Sequence, residues 1–211
     1  VRLSTGFRQL ATCTALLLLT ISAVQAPCFS QRAASIAGLS DVSIPRFDVV
    51  CPNLYRGSQP SAQDLQQLKK AGVAVDVCLD DESKYLVPES LAAQAVGITF
   101  VSIPMSALHG PTKKDIARFL EVVSHKDQQP VYVHCVHGRD RTSAMVGIYR
   151  VSHDGWTADA AYNEMLNHGF RPFFIALSNA VFDAAAQLGI MSSHRSPVGF
   201  ITGHMAGTRA R

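Results

Sequence analysis

The chain has 211 residues, 47% of them hydrophobic, and a formal net charge of +3. That length suits one domain of ordinary size with its own core, plus an additional segment. The charge is too small to mark a nucleic-acid or anionic-membrane binder, and no repeat, low-complexity tract or charge block stands out.

The additional segment comes first. Arg2 and Arg8 precede the uncharged run LATCTALLLLTISAV, and small residues follow as far as Ala26. A basic region, an apolar stretch and a small-residue site form the pattern of a secretory signal, so residues 1–26 are expected to be a signal peptide. An uncleaved membrane anchor is the alternative, and either one places the protein outside the cytoplasm, in the periplasm or secreted. Residues 27–45, rich in Ser, Ala and Gly, are expected as a loose lead, 46–190 as the folded domain and 191–211 as a flexible tail. Export would allow the even set Cys28, Cys51, Cys78 and Cys135 to pair. Cys78 lies in an apolar strand and Cys135 in a polar loop, so the one bridge considered is Cys28–Cys51.

Leu54 and Tyr55 suggest a short strand ending at the Gly57–Pro60 turn. Ser61 can cap a helix that presents Leu65 and Leu68 on one face and stops at Gly72. VAVDVCL reads as a buried strand, and Asp80-Asp81-Glu82 after it as a solvated acidic turn. A helix is expected from Pro88 to Gly97, then the strand ITFVSIP. HGPTKKDIARFLEVVSHK is an amphipathic helix with Ile116, Phe119, Leu120 and Val123 on one side. PVYVHC is the next strand, and helices are expected over 141–153, 157–168 and 173–188. This alternation predicts an α/β fold, with a central, mostly parallel sheet of four or five strands flanked by helices on both faces.

The chemistry concentrates in VHCVHGRDRT, which joins the strand PVYV to a helix beginning near Arg141. Ligands of open α/β sheets bind outside the carboxyl ends of the strands. A loop entering a helix offers backbone N–H groups to an anion, and the same field favours a thiolate at Cys135. Arg141, six residues on, can grip two phosphate oxygens with its planar fork. Gly138 permits a tight turn and close backbone approach. Thr142 places a hydroxyl near the sulfur, and His134 is expected to face away and hold the loop by hydrogen bonds. Such a set suits thiolate attack on phosphorus, a cysteinyl-phosphate and its hydrolysis.

The stretch resembles the signature of the cysteine-based protein tyrosine phosphatases: His-Cys, five residues, Arg, then Thr or Ser. LYRGSQPS, LKKAGVAVDVCL, GITFVSIPM, PVYVHCVHGRDRT, YRVSHDGWTADAAYNEM and HGF follow in the order of bacterial dual-specificity-type members, exported periplasmic ones above all. The resemblance covers residues 47–188. It implies a dual-specificity-phosphatase-like fold, phosphorylated protein as substrate, no metal or organic cofactor, no nucleic-acid partner, and membrane contact only through an uncleaved leader. The implied catalytic residues are Cys135, Arg141 and Asp140, with Val136, His137, Gly138, Arg139 and Thr142 binding phosphate.

The chain departs from the family in two places. Ser143 stands where the family often has Gly. The stretch IPMSALHGPTKKD, about thirty residues before the cysteine, lacks the Asp that many members use to protonate the leaving oxygen. His109 occupies nearly that place. Asp140 resembles the Asp before the signature Arg in myotubularin-type and other phosphoinositide phosphatases, and is the preferred proton donor. The bland alternative makes Asp140 a structural partner of a nearby N–H or of Arg139.

Arg139-Asp140 also suggests a runner-up reading, a phosphoinositide or inositol-phosphate phosphatase acting on a phosphorylated lipid or small molecule. The missing loop Asp motivates a third, a phosphate-binding pseudophosphatase. A sulfurtransferase also uses a cysteine loop at a helix start, but Arg141-Thr142 favours phosphatase. His134, Cys135, His137 and His153 were weighed as zinc ligands and set aside, since neighbours 134 and 135 do not readily chelate together. Arg56 is read as a buried anchor, and Ser102 and Trp156 as packing or capping positions.

Overall fold

The computed structural model describes residues 39, 42–194 and 196–201. The expected signal peptide, most of the lead, Cys28 and residues 202–211 lie outside the described residues. Five strands form one sheet: β1 (Asp48–Cys51), β2 (Leu54–Ser58), β3 (Val75–Cys78), β4 (Thr99–Ser102) and β5 (Val131–Cys135). Their order is β1-β2-β5-β3-β4, with β1 antiparallel to β2 and the other neighbours parallel. β5 is therefore central, and its register sets Cys135 beside Ser58 and His134 beside Cys78. This is the α/β architecture expected from the alternation of strands and helices.

Among the described residues, six helices of nine or more residues flank the sheet: α1 (Ala62–Lys70), α2 (Ser83–Ala95), α3 (Lys113–Ser124), α4 (Asp140–Ser152), α5 (Ala158–Asn167) and α6 (Ile175–Gln187). Local chemistry starts two of them. Ser61 with Asp64, and Thr112 with Asp115, form reciprocal capping boxes that satisfy the first free N–H groups. α2 begins five residues before the expected start, so Pro88 lies inside it. The carbonyl deprived of a donor belongs to Lys84, an exposed residue, where water can replace the missing bond.

The two faces carry separate cores. Tyr55, Leu65, Leu68, Val73, Ala93 and Tyr132 pack on the side of α1 and α2. The larger core lies on the other side, around α4, eleven of whose thirteen residues are buried. Buried around most of its circumference, α4 packs against α3, α5, α6 and β5. Arg150, on this helix, is neutralised by Glu164 at 2.8 Å and Asp154 at 2.9 Å and lies over the Trp156 ring.

The stretch from 191 differs from a free tail. Ser192 Oγ accepts from Ala158 N at 2.9 Å, capping α5, and Phe200 is buried edge-on against Tyr162 with centroids 5.1 Å apart. One aromatic residue filling a gap in the larger core outweighs the absence of periodicity there.

Candidate active site

Cys135 ends β5, residues 136–139 turn, and Asp140 opens α4. The sulfur thus sits at the carboxyl end of the central strand and at a helix N-terminus, whose first N–H groups have no partner within the helix. The turn is held from outside. Gln59 N donates to Val136 O at 3.3 Å, and Arg46 Nη1 to His137 O at 3.2 Å. Inside it, Gly138 N donates to Cys135 O at 3.2 Å, with Gly138 at φ +64° and pressed against Gly57. Val136 and Arg139 are half-buried and His137 is exposed, so the loop's flank reaches the surface.

Cys135 is 3% exposed. Burial alone would raise its pKa, but hydrogen bonds from the Thr142 hydroxyl and N–H, together with the Arg141 charge, bring it below the ordinary thiol value. Thr142 Oγ1 is buried with no other hydrogen-bond partner, which leaves the hydroxyl to the sulfur. These contacts make the thiolate easier to form than at an ordinary thiol.

Arg141 is fixed along one edge. Its Nη2 pairs with Asp80, while Nη1 donates to Asp81 Oδ1 at 2.9 Å and to Met105 O at 3.3 Å. A guanidinium has five N–H groups. These bonds leave Nε–H and one Nη2–H, side by side, as the fork for two phosphate oxygens. Asp80 is fully buried, not part of a solvated turn, and burial raises its pKa against the opposing pull of Arg141. The acidic turn is anchored because its first residue follows β3 at the binding edge of a parallel sheet. That position was the available signal for Asp80 and Asp81.

Asp140 takes a different place from the expected proton donor. Its Oδ1 accepts from Arg171 N at 3.0 Å, its Oδ2 from Arg171 Nη2 at 2.7 Å, and Arg139 Nε lies 3.4 Å away. Arg171 engages both carboxylate oxygens through its backbone N–H and guanidinium, so the geometry corrects the assignment to the structural alternative. Arg171 lies over the Phe173 and Phe174 rings, 5.1 and 4.7 Å from their centroids, which fixes the pair in turn. His109 is exposed, and its Nδ1 lies 3.1 Å from Ser106 Oγ.

His134 faces the smaller core, away from the loop interior. Its Nε2 lies 2.7 Å from Glu89 Oε1 and 3.1 Å from Asp76 Oδ1. Burial disfavours its positive charge, but Asp76, then Cys78 and Glu89, push its pKa well above the ordinary value. This polar group inside the core was not foreseen. Its only trace in the sequence was the interruption of an apolar strand by Asp76. Arg56 is buried and donates from Nη2 to Ser143 Oγ at 2.6 Å, which gives Ser143 its role and fits the anchoring reading; burial lowers the Arg56 pKa to about 10.

Comparison with known proteins follows this geometry. The family described as "DSP-PTPase phosphatase fused to NAD+ Kinase" matches residues 45–176. Dual specificity protein phosphatase TpbA of Pseudomonas aeruginosa (strain UCBPP-PA14) is 31% identical over 121 residues, 56% of this chain and 52% of that one. Phosphatidylglycerophosphate phosphatase PTPMT2 of Arabidopsis thaliana is 31% identical over 123 residues, 56% of this chain and 53% of that one. The chain spans about half the length of the curated relatives it matches. The crystal structure of P. aeruginosa TpbA superposes with a TM-score of 0.57 at 21% identity, over 69% of this chain and 91% of that one. The PP-IP phosphatase SIW14 core from S. cerevisiae gives 0.55 at 20%, over 62% and 82%. With the matched family spanning more than half of its residues, the chain belongs to the dual-specificity type of the cysteine-based tyrosine phosphatase superfamily.

Proposed function

We propose that the protein is a cysteine-dependent phosphatase that hydrolyses phosphate monoesters, with phosphotyrosine or another phosphorylated protein side chain as substrate. The observation that carries this is the buried Cys135, its pKa lowered, beside an arginine with two adjacent N–H groups free for phosphate. The substrate dianion settles among the α4 N-terminal N–H groups and the Arg141 fork. The Cys135 thiolate attacks phosphorus, the P–O ester bond breaks, and the leaving oxygen takes a proton. Water then attacks the cysteinyl-phosphate, the P–S bond breaks, inorganic phosphate departs and the thiolate returns. Asp81, half-exposed and held by Arg141 through Oδ1, is the candidate proton donor tested below, since both oxygens of Asp140 are engaged by Arg171.

The test is hydrolysis of an aryl phosphate and a phosphotyrosyl peptide by the reduced wild type, Cys135→Ser and Asp81→Asn. Cys135→Ser should lose at least about 10⁴-fold in kcat. Asp81→Asn should lose about 10²-fold or more on the peptide, with the basic limb of its pH profile flattened. A folded, reduced wild type without turnover on either substrate would move the reading to a phosphate-binding module.

A second reading, a phosphorylated lipid or inositol phosphate, is favoured by Arg139 and Arg171, two guanidiniums at the loop's flank. One relative is itself named a phosphatidylglycerophosphate phosphatase. A higher kcat/KM on dispersed phosphatidylglycerophosphate than on the peptide would select it. Arg2, Arg8 and the apolar run after them support export to the periplasm through a leader over residues 1–26. Cell fractionation with N-terminal sequencing of the mature chain tests that.

A further inference from the structure

Beneath the Cys135 loop, on the face turned toward α2, lies a group of side chains that the proposed chemistry does not use. Asp76, Cys78, Tyr132 and His134 share that face of β3 and β5, and Glu89 reaches them from α2. All five are buried. One donor atom from each of Cys78, Glu89 and His134 lies within 4.8 Å of the others.

Their arrangement is unusual for hydrogen bonding alone. Glu89 Oε1 and Asp76 Oδ1 both crowd the same ring nitrogen, at 2.7 and 3.1 Å. Yet neither ring nitrogen of His134, neither oxygen of Asp76 nor Glu89 Oε1 makes an aligned hydrogen bond. Unsatisfied polar atoms at full burial are costly and call for a further partner. Gln59 Nε2 holds the other Glu89 oxygen at 3.1 Å, which aims Oε1 inward, and the Tyr132 ring lies nearly parallel to the His134 ring.

We propose that Cys78, Glu89 and His134 form a buried structural site for a divalent transition metal of the zinc class, with Asp76 as the adjacent fourth donor, direct or through a water. Thiolate, imidazole and carboxylate together suit zinc. Bonds of about 2.0–2.3 Å would set ligand atoms about 3.3–3.8 Å apart, so side-chain movements of about an ångström close the site. Binding displaces the Cys78 thiol proton and the His134 imidazolium proton; the dication then faces a thiolate and carboxylates in place of a lone imidazolium. Of the zinc ligands considered from the sequence, His134 alone recurs in this set. The site would tie together β5 next to Cys135, β3 next to Asp80, and α2, and it does not depend on the phosphatase reading.

The experiment uses the full chain, reduced, in wild-type, Cys78→Ser, Glu89→Gln and Cys135→Ser forms, equilibrated with Zn²⁺ or Co²⁺ alone and desalted. Wild type and Cys135→Ser should retain about one equivalent per chain, with a raised Tm. Their cobalt forms should show a thiolate-to-cobalt charge-transfer band. Cys78→Ser should lose that band, and Glu89→Gln should bind at least about tenfold more weakly. Two results overturn the proposal: folded wild type retaining less than about a tenth of an equivalent, or a band that survives in Cys78→Ser and vanishes in Cys135→Ser. The wild-type and Cys135→Ser arms decide the matter even where a core variant fails to fold.

Discussion

Gly138→Ala tests the cradle at its tightest point. Two penalties act there. Gly138 has φ +64°, a conformation that costs a residue with a Cβ about 1–2 kcal/mol. The added Cβ would also overlap the carbonyl carbon and oxygen of Gly57 and stand 2.5 Å from Ser58 N. Those are backbone atoms of β2, and Ser58 N is itself bonded to Pro45 O at 3.0 Å, so they have little freedom to retreat. Overpacking of this kind costs about 1–3 kcal/mol. The variant should therefore lose about 3 kcal/mol in urea unfolding. Because relief requires the loop to lift away from β2, kcat/KM on an aryl phosphate should fall about 10²-fold. Gly155→Ala separates the two penalties: its φ is +70°, but nothing lies within 4 Å of the added carbon. It should cost about 1 kcal/mol and leave kcat/KM unchanged. If both variants lose the same stability and neither loses activity, the close packing of the loop on β2 is refuted.

Thr142→Ala removes a hydroxyl that favours the thiolate, so the pH profile of Cys135 alkylation should move to higher pH; an unmoved profile would reject Thr142 as its partner. Because the folded-state pKa of Cys135 lies below its unfolded value, the thiolate's stabilisation is present above the unfolded value and lost as pH falls through the folded one. The stability of wild type over Cys135→Ser should accordingly grow as pH rises toward about 8.5, and a flat difference would contradict the depressed pKa. Asp140→Asn weakens the pair with Arg171, which is 40% exposed, and should cost about 1–2 kcal/mol. Its kcat should drop less than about tenfold, because a proton donor's loss would reach about 10²–10⁴. Arg150→Met strands the buried Asp154 and the partly buried Glu164; chemical denaturation should show a loss of about 3–5 kcal/mol with kcat/KM of the folded fraction unchanged.

How far the sequence revealed this molecule depends on the range of the interactions. The cap at Ser61, the run before Cys135 and the spacing to Arg141 are local signals, and each appears where expected. The start of α2 was missed because Pro88 is a strong local mark for a first turn, whereas hydration of one exposed carbonyl is a weak, nonlocal one. Asp80 looked like a surface residue because its partner, Arg141, is sixty-one residues away. Asp140 looked catalytic for the same reason: Arg171, which engages it, lies thirty-one residues on in an irregular stretch. The cluster around His134 could not be read as a unit, since three separate elements meet there and only the sheet register joins Cys78 to His134.

The burial of α4 bears on how such a protein can change. The helix that carries Arg141 and Thr142 is enclosed along most of its length, so almost any alteration to the floor of the cradle disturbs the core as well. The surrounding wall is different: Leu108 is 70% exposed, Phe173 63% and Ile175 52%, on segments that meet where Gly110 abuts Ala176. These three side chains lie largely in solvent. Substitutions at Leu108 or Ile175 should therefore disturb the core less than substitutions in the floor of the cradle.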